Sequence, residues 1–212
     1  MRVQKEFYKT TANAIIKNLE KRNMQGFYCE TAEEALALAL SLIPEGSSIG
    51  KGGSKTVNDI GLLKAIKEGN YNYIAGASSS ATREEQHEIA SRIFNADFYL
   101  MSTNAITYDG QLVNIDGRSN RVSHLCYGPK NVIIVAGMNK VAPDLDTAMA
   151  RAKNVAAPMN AIRLKKTTPC TAIGKCGNCL SDECICCNTV ITRHSRFPGR
   201  IKVILVGEEL GY

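Results

Sequence analysis

Six of the eight cysteines in this chain fall within eighteen positions, as Cys170-x5-Cys176-x2-Cys179 followed by Cys184, Cys186 and Cys187. Spacing this close lets several thiolates reach one centre from a single loop, which is what a thiophilic metal ion or an iron–sulfur cluster requires. The pattern is neither the C-x2-C-x2-C run of bacterial ferredoxins nor a pair of C-x2-C zinc knuckles, so spacing leaves iron–sulfur and zinc both open. A disulfide or thiol switch is the competing reading. Lys165, Lys166 and Lys175, with the backbone amides near Gly174 and Gly177, could offset the charge of bound thiolates, or could simply be solvated. Cys29 and Cys126 stand in apolar surroundings and read as core residues.

A second chemical signal is the loop Gly50-Lys51-Gly52-Gly53-Ser54-Lys55-Thr56, placed between a strand and a helix. Glycines there let backbone N–H groups approach an anion, and a following helix N-terminus adds a favourable dipole, so a phosphate or carboxylate would fit. No glycine stands at the Walker A spacing before Lys55, and Lys55 takes the third glycine position of GxGxxG, so both nucleotide fingerprints fail on register. A tight turn needing positive φ is the plain alternative. The polar loop Ala77-Ser78-Ser79-Ser80-Ala81-Thr82 also follows a strand and precedes a helix; Ser79, Ser80 and Thr82 either join the same crevice or, for Ser80 or Thr82, cap the helix.

Asn104, Asn114 and Asp116 lie in the most polar stretch attached to a strand end, and with Gly117 allowing close approach the last two could hydrogen-bond a hydroxylated substrate. His87, His124 and His194 are isolated from one another and from any acid at motif spacing, so no catalytic triad or zincin can be drawn. Each reads as structural or surface, with His124, beside Arg118-Ser119-Asn120-Arg121, the one that could face a ligand. Glu84-Glu85 suits the first turn of a helix better than a general-base role. No acid–base pair emerges, which leaves open whether the protein is an enzyme.

The elements that must position these groups alternate along the chain. Residues 1–24 hold an amphipathic helix with Phe7, Ile15, Ile16 and Leu19 on one stripe. GFYCE is a short apolar piece; Thr31 and Glu34 form a capping box opening the helix AEEALALALSLI, which Pro44 stops. SSIG, YNYIAG, FYLMS and NVIIVAG read as strands, and VNDIGLLKAIKEG, ATREEQHEIASRIFNA, RSNRVSHLCYG and DLDTAMARAKNVA as helices, the last closed by Pro158. AITY and QLVNI flank Asp109-Gly110, a two-residue hairpin signal. Residues 167–200 lose apolar periodicity before a final strand, IKVILVGEE, returns to the sheet. The expected fold is a single α/β domain over residues 1–212, a three-layer sandwich with a mainly parallel sheet, an inserted β-hairpin and a cysteine-rich C-terminal loop.

With 212 residues and 44% hydrophobic content the chain can bury a core without staples, so its cysteines need not be a disulfide framework. The net charge of +6 is mixed along the sequence without a basic run, which favours an anionic small molecule over nucleic acid. The charged N-terminus has no apolar h-region, and no span follows, so a cytoplasmic protein without membrane contact is expected.

SSIGKGGSKT (47–56), STNAITYDGQLVNIDGRSNRV (102–122), NVIIVAGMNKV (131–141), TPCTAIGKCGNC (168–179) and VILVGEELGY (203–212) together resemble the lactate-utilisation (LUD) domain family, in its branch with cysteines near the C-terminus. That resemblance implies the fold of sugar-phosphate isomerases, coenzyme A transferases and initiation-factor-2B-like proteins, with the Gly50–Thr56 loop where those relatives bind phosphate or coenzyme A. It implies redox work in oxidising lactate or a related 2-hydroxy acid, beside iron–sulfur partner subunits. In this branch the pattern T-P-C, C-x2-C and a further cysteine maps onto Cys170, Cys176, Cys179 and Cys186, with Cys184 and Cys187 standing where other residues are usual, as alternates for the fourth ligand. Two other function classes stay open: a non-redox transferase or isomerase binding a sugar phosphate or acyl-coenzyme A with structural zinc, and a regulatory module without catalysis. A homo-oligomer is also open.

Overall fold

The computed structural model describes residues 2–78 and 80–212. Its N-terminal helix α1 (Arg2–Glu20) buries Ala12, Ile15 and Leu19 at helical spacing, while Phe7, expected on the same stripe, is exposed. Strand β1 (Gln25–Cys29) follows, then α2 (Ala32–Ser41). Thr31 Oγ1 accepts from Glu34 N at 3.2 Å, but the Glu34 carboxylate reaches back to Glu30 N, at 2.7 Å, one residue further than the expected box. After β2 (Ser48–Lys51), the helix expected over 57–69 is two short ones, α3 (Lys55–Asp59) and α4 (Leu62–Glu68). Gly61 between them takes φ 78°, a left-handed conformation that breaks the helix at little cost only because the residue is glycine.

The chain continues through β3 (Asn72–Ile74), α5 (Arg83–Phe94), β4 (Phe98–Met101), β5 (Ala105–Thr107), β6 (Leu112–Asp116), α6 (Asn120–Cys126) and β7 (Asn131–Gly137). A 3-10 turn (Met138–Lys140) leads into β8 (Val141–Ala142) and then α7 (Leu145–Arg151). Pro158 does not close this helix. A π-helical stretch, Ala152–Ala156, in which Ala157 N donates to Ala152 O, leads into α8 (Ala157–Arg163) with Pro158 in its first turn. The wider turn shifts the carbonyl that the proline ring would otherwise strike, so the helix runs on. The tail forms a short α9 (Pro169–Ile173), a cysteine-bearing loop, β9 (Asn188–Thr192) and β10 (Ile201–Val206).

Six strands pair in parallel in the order β1-β10-β7-β4-β2-β3. Although β4 and β7 are buried throughout, their side chains still divide by the two-residue period of a strand. Tyr99, Met101, Val132 and Ile134 pack with Ile15, Leu19 and Leu125 on one face, and Leu100, Ile133 and Val135 with Ala35, Leu62 and Ile66 on the other. This is a three-layer sandwich.

The expected hairpin is present but has a three-residue loop, Tyr108-Asp109-Gly110, because Thr107 N bonds Gln111 O and Gly110 sits at φ 87°. It belongs to a separate sheet of order β8-β5-β6-β9, in which β9 from the cysteine-rich tail pairs antiparallel with β6 along its whole length. Among the described residues no helix is long and apolar enough to cross a membrane.

Candidate functional site

In the parallel sheet the chain runs out to β3 and then returns to the other side of β2, so the strand order reverses between β2 and β4. Loops leaving the carboxyl ends of strands diverge at such a point and leave a crevice. A cleft of about 560 Å³ opens there, walled by segments that follow β2, β4, β7 and β10, by the end of β6, and by α6 and α8. Among the described residues its lining carries six basic side chains, Lys55, Arg118, Arg121, Lys140, Arg163 and Lys166, against one acidic side chain, Asp116. The field inside is therefore that of an anion site.

The glycine-rich loop enters this cleft only with its second half. Gly53, Ser54, Lys55 and Thr56 line it, whereas Gly50 and Lys51 are strand residues of β2. A Cβ on Gly50 would overlap Ile93, and one on Gly52 would come within 2.7 Å of the Tyr99 hydroxyl, so both glycines serve close packing rather than ligand approach. Lys51 faces an adjoining groove with His87 and Arg83, and burial, then Arg163 and Lys67, lower its pKa. Ser54 caps α3 by accepting from Val57 N at 3.2 Å, and Lys55 is tied to Asp59 at 2.6 Å. With five residues α3 offers little dipole, so the cations carry the anion preference.

Of the second polar loop, Ser79 lies outside the described residues. Ser80 is exposed and hydrogen-bonds Ser78 at 3.1 Å; Thr82 is the N-cap of α5 in a full capping box with Glu85. Asn104 and Asp116 line the cleft, but Asn114 is wholly buried beneath it. All three are organised by Arg121, whose guanidinium donates to Asn114 Oδ1 (2.6 Å), Asn104 Oδ1 (3.2 Å), Ile115 O (2.7 Å) and Ser102 O (3.3 Å), with Asp116 Oδ2 3.6 Å from Nε. Asp116 also accepts from the amides of Arg118, Ser119 and Val122, fixing the turn into α6. Arg121 thus holds Asn104 and Asp116 at the cleft floor, with Asn114 beneath them. His124 is buried, stacked on Tyr99 at 4.9 Å, with both ring nitrogens toward backbone carbonyls, and is structural.

Lys140, which sequence reasoning did not single out, is the cleft's most unusual group. The residue is 3% exposed, and Nζ bonds the hydroxyls of Ser102 at 2.9 Å and Thr56 at 3.1 Å. Desolvation first, then the charges of Arg151 and Arg121, push its pKa down to about 7. The signal available in sequence was position: a lysine just after a fully apolar strand must emerge at the sheet's carboxyl edge. Arg163 gave no such signal, because Pro158 reads as the end of its helix.

The cysteine segment forms part of the same cleft's wall through Lys166 and Ile185. Glu183 fastens it, accepting from Thr167 N and Oγ1 at 2.7 Å each and pairing with Lys166 at 3.1 Å; these bonds hold its carboxyl down at about 2. Cys186 is packed against the small-sheet core, and burial, followed by the charges of Cys184, Cys176 and Cys170, raises its thiol to about 12. Cys184 is raised by burial and also feels Cys179 and Cys187. All six thiols thus lie within electrostatic reach of the Cys184–Cys186 pair. Among the described residues, no three His, Cys, Asp or Glu side chains stand at metal-ligand geometry.

A DUF162 family protein from Deinococcus radiodurans is similar in structure, with 13% identity, 94% of this chain and 98% of that chain covered, and a TM-score of 0.46. eIF2B beta from Chaetomium thermophilum (16% identity, 54% and 44% covered, TM-score 0.38) and ribose 5 phosphate isomerase A from Neisseria gonorrhoeae (15%, 54% and 56%, 0.36) are more partial likenesses. No curated protein sequence matches. The family model described as the LUD domain matches residues 12–206, nearly the whole chain, and the protein therefore belongs to the LUD domain family.

Proposed function

We propose that the protein binds a small organic acid of the 2-hydroxy or 2-oxo class in its cationic cleft and works, redox-associated, in lactate-utilisation-type oxidation, with an iron–sulfur cluster held in the adjoining cysteine segment. The observation that carries this reading is the shared wall: Ile185, flanked in the chain by Cys184 and Cys186, lines the cleft that also holds Lys140, Arg118 and Arg163. The donor set supports this reading by its chemistry, six free thiols on one segment, which binding would have to draw together because among the described residues they do not stand at ligand geometry. Cys170, Cys176, Cys179 and Cys186 would hold it, with Cys184 and Cys187 as alternates; zinc is the alternative occupant. When bound, a cluster supplies one-electron transfer to a partner subunit. The chain's own residues hold the acid's carboxylate by charge, keep the floor rigid through Arg121, and offer Lys140 as a proton-exchanging group.

A second reading, a non-redox binder of a sugar phosphate or acyl-coenzyme A with structural zinc, is favoured by one observation. Six lining cations and about 560 Å³ exceed what a three-carbon monocarboxylate needs. Purification without oxygen, with iron, sulfide and zinc analysis, separates the two. Iron with sulfide, and a visible thiolate-to-iron absorption that changes on adding lactate, is the expected result. Zinc alone would remove the redox reading and direct ligand screening to phosphates and coenzyme A thioesters.

A further inference from the structure

A buried lysine is ordinarily kept charged by a carboxylate partner, because desolvating an ammonium without one is costly. Lys140 has no such partner among the described residues. The acid that acts on it, Asp59, is bonded to Lys55 at 2.6 and 2.8 Å. Arg151 from α7 and Arg121 from α6 act on it as cations, and the carboxylate that lines the cleft, Asp116, lies 3.6 Å from Arg121 Nε. Its bonds go instead to two hydroxyls that can each accept or donate a proton, Ser102 and Thr56. Backbone also packs closely against the amine. Gly211 sits there at φ 61°, and a Cβ at that position would overlap Thr56 Oγ1 and come within 3.2 Å of Nζ.

We propose that Lys140 is the cleft's reacting amine, condensing reversibly with the carbonyl of a 2-oxo acid, or of another anionic aldehyde or ketone, whose negative group is held by Arg118 and Arg163. This rests on the reading that the cleft takes an organic acid, and deepens it by naming the residue and the functional group it engages. In the step, the neutral Nζ adds its electron pair to the carbonyl carbon and the carbonyl π pair moves to oxygen, which takes a proton through the Ser102 or Thr56 hydroxyl. The carbinolamine then loses that oxygen as water, giving a protonated imine. Counted from the ammonium, two of its three protons leave in the water, and no oxidant or reductant is consumed. A pKa near 7 leaves a large neutral fraction at neutral pH, whereas an exposed lysine is almost wholly charged.

The test treats the full-length protein with pyruvate and cyanoborohydride and maps reduced adducts by peptide mass spectrometry, with thermal shift reporting binding independently. The expected result is an adduct on Lys140 forming roughly a hundredfold or more faster than on exposed lysines. It should form faster as pH rises between about 6 and 8, be suppressed by oxalate, which binds as an anion but has no ketone, and be absent in Lys140→Arg. Oxalate protection is read on the unsubstituted protein, so the test does not depend on that variant folding. If pyruvate and oxalate raise the melting temperature but Lys140 gains no adduct, the amine proposal is overturned and the acid-binding cleft stands. If adducts spread over surface lysines without oxalate protection, the proposal is likewise overturned. Neither stabilisation nor adduct would remove both.

Discussion

The cleft has one wall built on β6 and α6 and another built on residues 166–187, and the two are held in place by different means. In the first, a buried guanidinium ties together two strand ends, two asparagines and an aspartate, and that aspartate fixes the next helix through three amides. In the second, α9 buries no residue, Leu180 is 99% exposed, and the segment is fastened by Glu183 and by Cys186 against the small-sheet core. Folding alone determines the first wall, because every member would be left buried and unpaired if the wall opened. The second is tied at only a few points, so under the proposal a group bound by its thiols could redraw it without breaking a buried network.

That contrast can be broken most directly at Arg121. Arg121→Ala should destabilise the protein by about 3–5 kcal/mol in urea unfolding, because it leaves Asp116 and two asparagine oxygens without their buried partner. A loss below about 1 kcal/mol would mean the wall does not rest on this residue.

Lys140 in the same region should behave in the opposite sense. Its folded pKa of about 7 lies below the ordinary lysine value of 10.5, so the unfolded chain binds more protons between those two pH values and stability rises with pH across that window. Below the window both states are charged and the fold carries the full cost of a buried ammonium; above it neither is. Lys140→Met should therefore stabilise the protein by on the order of 1–3 kcal/mol near pH 6, with the gain shrinking toward pH 10. A variant less stable than the parent at pH 6 would contradict the desolvation account.

The smallest effect on stability is expected in the other wall. Cys186→Ser should change metal-free unfolding by less than about 1 kcal/mol, yet lower the iron or zinc retained per chain after reconstitution. Unchanged metal content would move the fourth ligand to Cys184 or Cys187.

Much of the scaffold was legible in the residues. Thr31 and Thr82 cap the helices that their sequence context announces, and the apolar runs at 98–101 and 131–137 are inner strands of a parallel sheet. Where the reading and the structure part, the cause is non-local or conformational. Asp109-Gly110 signals a turn, but pairing of Thr107 with Gln111 makes it a three-residue loop. Gly61 divides a helix that periodicity would join, and a π-turn carries another past Pro158, bringing Arg163 to the cleft.

The sequence by itself determined the alternation of strands and helices, the family, and the set of thiols available for a metal, since each depends on near neighbours or on patterns along the chain. Only the tertiary structure decided that Gly50 and Gly52 serve packing while Ser54 to Thr56 face the cleft, that Arg121 ties its floor together, and that Lys140 bonds two hydroxyls and no acid among the described residues. A side chain's burial and charge environment are set by segments dozens of residues away, and no local spacing encodes which of those segments will meet.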